Sequence, residues 1–203
     1  EIPITLATAG IGIVLMLFLG AISQLFIGLA IGLVGFLVTM YFINITNKGR
    51  MIQVSEHQFP HLHRMNLEVA RNLDMPPPLM FVQQSPVINA YAQGLNHPMT
   101  TVYHTALLEA MSEDELRFIV AHEQGHCKLR HIFYMILNQN AIRGLGGFIA
   151  VPLQGLFFVA TRAMEYSADR AGLIGSMNLH ASITALIKLA VGPHMFKQMN
   201  IQA

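Results

Sequence analysis

The stretch SEDELRFIVAHEQGHC, residues 112–127, decides how this chain is read. Ser112 and Glu115 stand at capping-box spacing, so a helix starts at Glu113. On that helix His122 and His126 are four residues apart and share one face, so both imidazoles can reach a single ion. Glu123 lies beside them, and Gly125 leaves space next to the pair. A zinc ion held by three protein groups keeps one position for water and lowers its pKa toward about 7, and an adjacent carboxylate can take the proton as that water attacks a carbonyl. The helix is expected to run past His131 and to stop before Gly144, Gly146 and Gly147, because clustered glycines break helices.

A third ligand comes from the segment Glu165-Tyr166-Ser167-Ala168-Asp169. Glu165 and Asp169 are at i, i+4 helical spacing and point toward the same neighbour. Glu165 suits direct ligation. Asp169 suits the role of accepting the other ring N–H of a metal-bound imidazole. One zinc ion per chain, on His122, His126 and Glu165, is the expectation.

Three ligands on one ion restrict the topology. Residues 144–161 are apolar, contain Pro152 and are flanked by Arg143 and Arg162. A single membrane crossing there would put His126 and Glu165 on opposite sides, and 18 residues are too few for two crossings. This segment is therefore expected to be buried or to lie at the membrane surface.

Composition points to the membrane as well. Hydrophobic residues make up 53% of the 203 and charged residues 11%, well below the usual quarter. No charged residue occurs from Ile2 to Asn47, and as one helix this stretch would be about twice as long as a bilayer core is thick. Two spans are expected over residues 1–47, as a helical hairpin turning at Gly20-Ala21-Ile22-Ser23-Gln24, since the stretch is far too long for a signal-peptide core. Lys48 and Arg50 follow directly and place residue 48 onward in the cytoplasm by the positive-inside tendency. The net charge of +1, without a basic stripe, excludes nucleic acid as an expected partner. The single cysteine, Cys127, forms no internal disulfide, so packing or metal holds the fold.

Residues 48–203 form the catalytic domain in this reading, and the fold class is α+β, mainly helical. A helix over about 61–73 is ended by Pro76-Pro77-Pro78. Strands are expected at 79–83, 88–92 and 99–103, giving a sheet of about three, followed by a short helix near 105–111.

These residues resemble the HtpX-like and CAAX-prenyl-protease-like membrane zinc metallopeptidases, of the gluzincin type, over about residues 57–190. Besides H-E-x-x-H, residues 165–169 are similar to the family's E-[FY]-x-A-D, and Val87-Ile88-Asn89-Ala90-Tyr91-Ala92 is similar to its N-A-[FY] strand. The resemblance implies zinc on His122, His126 and Glu165, Glu123 as general base, and the strand of Asn89, Ala90 and Tyr91 at the cleft edge, where a polypeptide substrate adds as a further strand. It implies an integral protein of the bacterial inner membrane in contact with the bilayer; with Lys48 and Arg50 the catalytic domain is expected on the cytoplasmic side, and other subunits of a membrane complex are a further candidate partner.

The chain departs from the family at Gln124, where leucine is common, and has no H-P-x-x-x-R segment, since His194 follows Pro193. That leaves the oxyanion stabiliser unassigned; Arg170 and Tyr91 qualify by chemistry alone. The alternative function is a scaffold or accessory subunit that keeps the fold with weak or no activity, and a further one is prenyl-protein processing. Of the other histidines, His61 and His63 point different ways on a helix, and His57, His97, His104, His131 and His180 are read as surface or core residues.

Overall fold

The computed structural model of the chain describes residues 15–24, 26–38, 51–95, 97–135 and 147–200, with backbone only for 147–153. The chain divides into two units, Glu1–Arg50 and Met51–Ala203. In the first unit, helix α1 spans Leu15–Val38 and has 24 residues. That is about 36 Å of helix, enough to cross a bilayer core of about 30 Å.

The hairpin turn expected at Gly20–Gln24 is not formed, because those residues lie inside α1. The Ser23 hydroxyl donates back to the Gly20 carbonyl at 2.8 Å, so its polar group is satisfied within the helix. A lone glycine costs a helix only about 1 kcal/mol, too little to end so long an apolar run. The rest of the hairpin expectation falls on residues 1–14 and 39–50, outside the described residues.

The second unit contains a sheet of β1 (Met51–Gln53), β2 (Leu79–Gln83), β3 (Ala90–Gln93) and β4 (Thr100–His104) in the order β1-β2-β4-β3. Three strands were expected; β1 is the fourth, and it pairs antiparallel with β2. The central strands β2 and β4 run parallel, Leu79 opposite Thr100, and their buried Met80, Phe81, Val82, Val102 and Tyr103 suit strands covered on both faces. From β2 the chain passes outside β4 to form β3 and returns as an antiparallel pair, which leaves β3 at the edge.

Helix α2 (Pro60–Asn72) packs Met65 and Val69 into the core. After the short α3 (Thr105–Ala110) comes α4 (Glu113–Lys128), with its capping box formed: the Ser112 N–H donates to Glu115 Oε2 at 2.8 Å and the Glu115 N–H to Ser112 Oγ at 3.4 Å. Such a cap contributes about 1 kcal/mol. Buried residues lie all around α4, which marks it as a central core helix rather than an amphipathic surface one. Gln124 is fully buried there, and its amide donates to the backbone and side-chain oxygens of Asn66, both at 2.9 Å. The residue that departs from the family leucine thus ties α4 to α2 by hydrogen bonds.

Helix α4 does not run past His131. It stops at Leu129, Arg130 takes a positive φ of 56°, and residues 131–135 are helical again. At the break Lys128 Nζ donates to the carbonyls of Leu73 and Asp74, beyond the end of α2.

The 30-residue helix α5 (Gly147–Ser176) follows, then α6 (Leu179–Val191) and α7 (Pro193–Phe196). The apolar stretch is therefore no separate segment; its described part is the first half of α5. Nor is it buried, since Leu156, Phe158 and Val159 are each about two-thirds exposed. It is the second half of α5 that packs on α4. There Ala168, Ala171, Gly172 and Gly175 repeat at helical spacing, and a Cβ on Gly172 or Gly175 would lie 2.5 Å from the Phe118 ring or 2.4 Å from the Ala121 methyl.

Candidate metal centre

The close α4–α5 contact sets the site. Glu165 lies one turn before Ala168, so the register that seats Ala168 and Ala171 against Gly125 carries Glu165 over the two histidines. His122 Nε2 and His126 Nε2 are 3.1 Å apart, and Glu165 Oε2 lies 3.5 Å from the first and 3.8 Å from the second. Without an ion, a proton on His122 Nε2 can bridge these atoms; a cation bound by all three would take its place. In a tetrahedral site with bonds of about 2.0–2.1 Å, neighbouring donor atoms are separated by about 3.3 Å. The three donor atoms match that spacing, and their mix of nitrogen and oxygen suits zinc.

Asp169 lies on the far side of His122, its Oδ1 3.0 Å from Nδ1, and holds the ring with Nε2 turned toward Glu165. Burial opposes charge on His122, but the hydrogen bonds to Asp169 and Glu165 outweigh it and raise its pKa to about 9. His126 is driven the other way, to about 4, by burial and by the positive charge of His122. Glu165 is lowered, chiefly by its hydrogen bond to His122.

Glu123 is buried beside the cluster. Burial raises its pKa to about 7, against the pull of His122 and a hydrogen bond from the Ala92 N–H. A carboxyl poised near neutrality suits a general base.

The cluster opens into a cavity of about 340 Å³. Asn89, Ala90, Tyr91 and Ala92 line one side of it, so the edge strand borders the cleft, while Leu107, Leu186 and Leu189 supply apolar wall. Tyr91 donates its hydroxyl to Gln83 Oε1 at 3.1 Å, so that group is engaged within the sheet. Arg170 lines a neighbouring groove with Leu179 and Ile183 and is not among the residues lining the cleft. Neither offers a free donor over the histidines.

One residue of the site was not singled out from the sequence. His131 is buried, and its Nδ1 lies 3.1 Å from His126 Nδ1. Helical spacing could not reveal this contact, because it depends on the break at Leu129 and Arg130.

Among known proteins, the chain is 34% identical over 165 residues to the plastoglobule-localized metallopeptidase 48, chloroplastic, of Arabidopsis thaliana, covering 77% of this chain and 48% of that one. It is 27% identical over 166 residues to a protease HtpX homolog of Burkholderia cenocepacia, covering 68% of this chain and 58% of that one. The chain spans about half the length of the curated relatives it matches. No solved structure matches it. Residues 56–200 match peptidase family M48, a span that holds both histidines, Glu123, Glu165 and Asp169. With that match joined to the helix-borne donor set, the chain belongs to peptidase family M48, among its HtpX-like metallopeptidases.

Proposed function

We propose that this chain is a membrane-anchored, zinc-dependent endopeptidase acting on membrane or membrane-proximal polypeptides. The convergence of His122 Nε2, His126 Nε2 and Glu165 Oε2 beside a buried Glu123 carries this reading. His122, His126 and Glu165 would hold one zinc ion, which supplies Lewis acidity and activates water. Glu123 takes the proton of the attacking water and delivers it to the leaving amine. Asp169 keeps His122 in the ligating orientation.

The edge strand supports binding of an extended polypeptide. The Ala92 N–H is turned away from β4, toward Glu123. Strand alternation turns the backbone groups of Ala90 the same way, free to pair with a substrate strand. Helix α1 supports anchoring by length and composition, and the apolar surface of Leu156, Phe158 and Val159 suits contact with a bilayer. Lys48 and Arg50, after the apolar stretch, favour the cytoplasmic side of a bacterial inner membrane, where other subunits of a membrane complex would be met.

The test is hydrolysis of an unfolded, casein-like polypeptide by the full chain in detergent with zinc. Wild type should cleave it, and Glu123→Gln should keep its metal while losing about 10²- to 10⁴-fold in rate. Unchanged cleavage by Glu123→Gln refutes the mechanism. A zinc-loaded wild type without cleavage, co-purifying with stable partners, supports the scaffold alternative instead.

A further inference from the structure

Two imidazoles in contact with no ion between them cannot both present a lone pair or both present a hydrogen; one must donate. His126 turns Nε2 toward His122 and Glu165, and its Nδ1 lies 3.1 Å from Nδ1 of His131. Resting on the metal-centre reading above, Nε2 of His126 keeps its lone pair for the ion, so its hydrogen is on Nδ1. His131 must then accept at Nδ1 and carry its own hydrogen on Nε2. That nitrogen lies 3.4 Å from Ser167 Oγ, and the Ser167 hydroxyl in turn donates to the carbonyl of Met164 at 2.9 Å or of Ala163 at 3.1 Å. Every link has one donor and one acceptor, and the chain ends on the turn of α5 that carries Glu165.

The position of His131 requires the helix break. In an unbroken α4, residue 131 would sit about 140° around the axis from His126 and face elsewhere. The positive φ of Arg130 and the anchoring of Lys128 to the Leu73 and Asp74 carbonyls bring the ring back over His126. The ring is buried.

We propose that His131 is a positioning residue of the metal centre: it fixes the tautomer and ring orientation of His126 and, through Ser167, locks that ligand to the helix bearing Glu165. His122 is backed by a carboxylate and His126 by a neutral imidazole, so the two ligands are oriented by different chemistry.

The test compares wild type, His131→Leu, His131→Asn and His122→Ala in the full chain. Zinc affinity is measured by chelator competition, and the visible spectrum of the cobalt-substituted protein reports ligand geometry. Asparagine can place an acceptor near the Nδ1 position; leucine cannot. His131→Leu should lose about tenfold to a hundredfold in zinc affinity and alter the cobalt bands, and His131→Asn should recover most of both. Ser167→Ala should weaken zinc in the same direction by a smaller factor, which keeps the test decisive should His131→Leu fail to fold. Zinc binding by His131→Leu equal to wild type, or His131→Asn as weak as His131→Leu, overturns the proposal. His122→Ala separates the two levels: its loss of zinc beside an unaffected His131→Leu leaves the metal centre standing and removes only the role of His131, whereas a wild type that takes up no zinc removes both.

Discussion

A Cβ placed on Gly125 would lie 2.7 Å from the methyl of Ala171, so α4 and α5 meet with no room for a side chain in the turn that carries His126. The same contact sets how far Glu165 stands from the histidines. Packing and ligand geometry are thus one constraint at this position.

Gly125→Ala should therefore cost both stability and metal, because the Ala171 methyl is rigid and the helices must separate. Gly175→Ala, which meets the Ala121 methyl at 2.4 Å, makes a comparable clash ten residues beyond Glu165. Each should destabilise by about 1–3 kcal/mol in thermal unfolding. Only Gly125→Ala should also weaken zinc by about tenfold or more, as loss of ligand orientation does. Equal zinc affinity in the two variants would show that the α4–α5 contact does not set the site.

Metal uptake should release protons in a pH-dependent way. His122 holds its proton up to about 9, whereas His126 at about 4 and the lowered Glu165 hold none near neutrality. At pH 8, where Glu123 with its pKa of about 7 is mostly ionised, zinc should displace about one proton, from His122. Near pH 6 a second should leave Glu123, since a nearby cation favours the carboxylate. Apparent affinity should fall as pH drops below about 9, by up to about tenfold per unit, and more steeply, by up to about a hundredfold per unit, below about 7 where two protons are displaced. Calorimetry in buffers of different ionisation enthalpy measures the count, and no release at pH 8 would contradict this assignment.

The capping box of α4 also carries an inter-helix ion pair. Glu115 Oε2 accepts from Lys188 Nζ at 2.6 Å, joining α6 to the start of the metal-binding helix. Burial raises the Glu115 pKa, but Lys188 and the Ser112 N–H outweigh it and hold the carboxyl below its ordinary 4.5. A depressed folded pKa contributes stability that is present above the unfolded value and lost as pH falls through the folded one. Lys188→Met should cost about 3 kcal/mol at pH 7, by leaving the carboxylate without its counter-charge. The gap to wild type should close as pH falls through the folded pKa of Glu115, below its ordinary 4.5. A gap that persists there would mean packing of the lysine stem, rather than the ion pair, is responsible.

Legibility in the sequence followed the range of the interaction. Leu79–Gln83 could be placed as a strand because Pro76-Pro77-Pro78 end the preceding helix beside a β-branched and aromatic run, and Ser112 with Glu115 announced α4 locally. The spacing of Glu165 and Asp169 already placed both on one face, where the structure finds them on either side of His122. Met51–Gln53 was missed because a three-residue strand has no readable alternation and exists only through pairing with β2. Gly20–Gln24 was read as a turn because it divides an uncharged stretch too long for one span into two of spanning length, yet these residues continue the helix and the Ser23 hydroxyl bonds back within it. His131 was hidden because its contact with His126 depends on the end of α4 at Lys128 and the positive φ of Arg130, where Lys128 bonds carbonyls 54 and 55 residues earlier.

His122, His126 and Glu165 are proposed to hold one metal ion. The direct measurement is zinc per chain, by elemental analysis of the purified full-length chain in detergent, for wild type, His122→Ala and Glu165→Ala. About one zinc per wild-type chain is predicted, with near-complete loss in His122→Ala and marked loss in Glu165→Ala. A wild type without zinc, or variants that retain it as wild type does, would contradict the account.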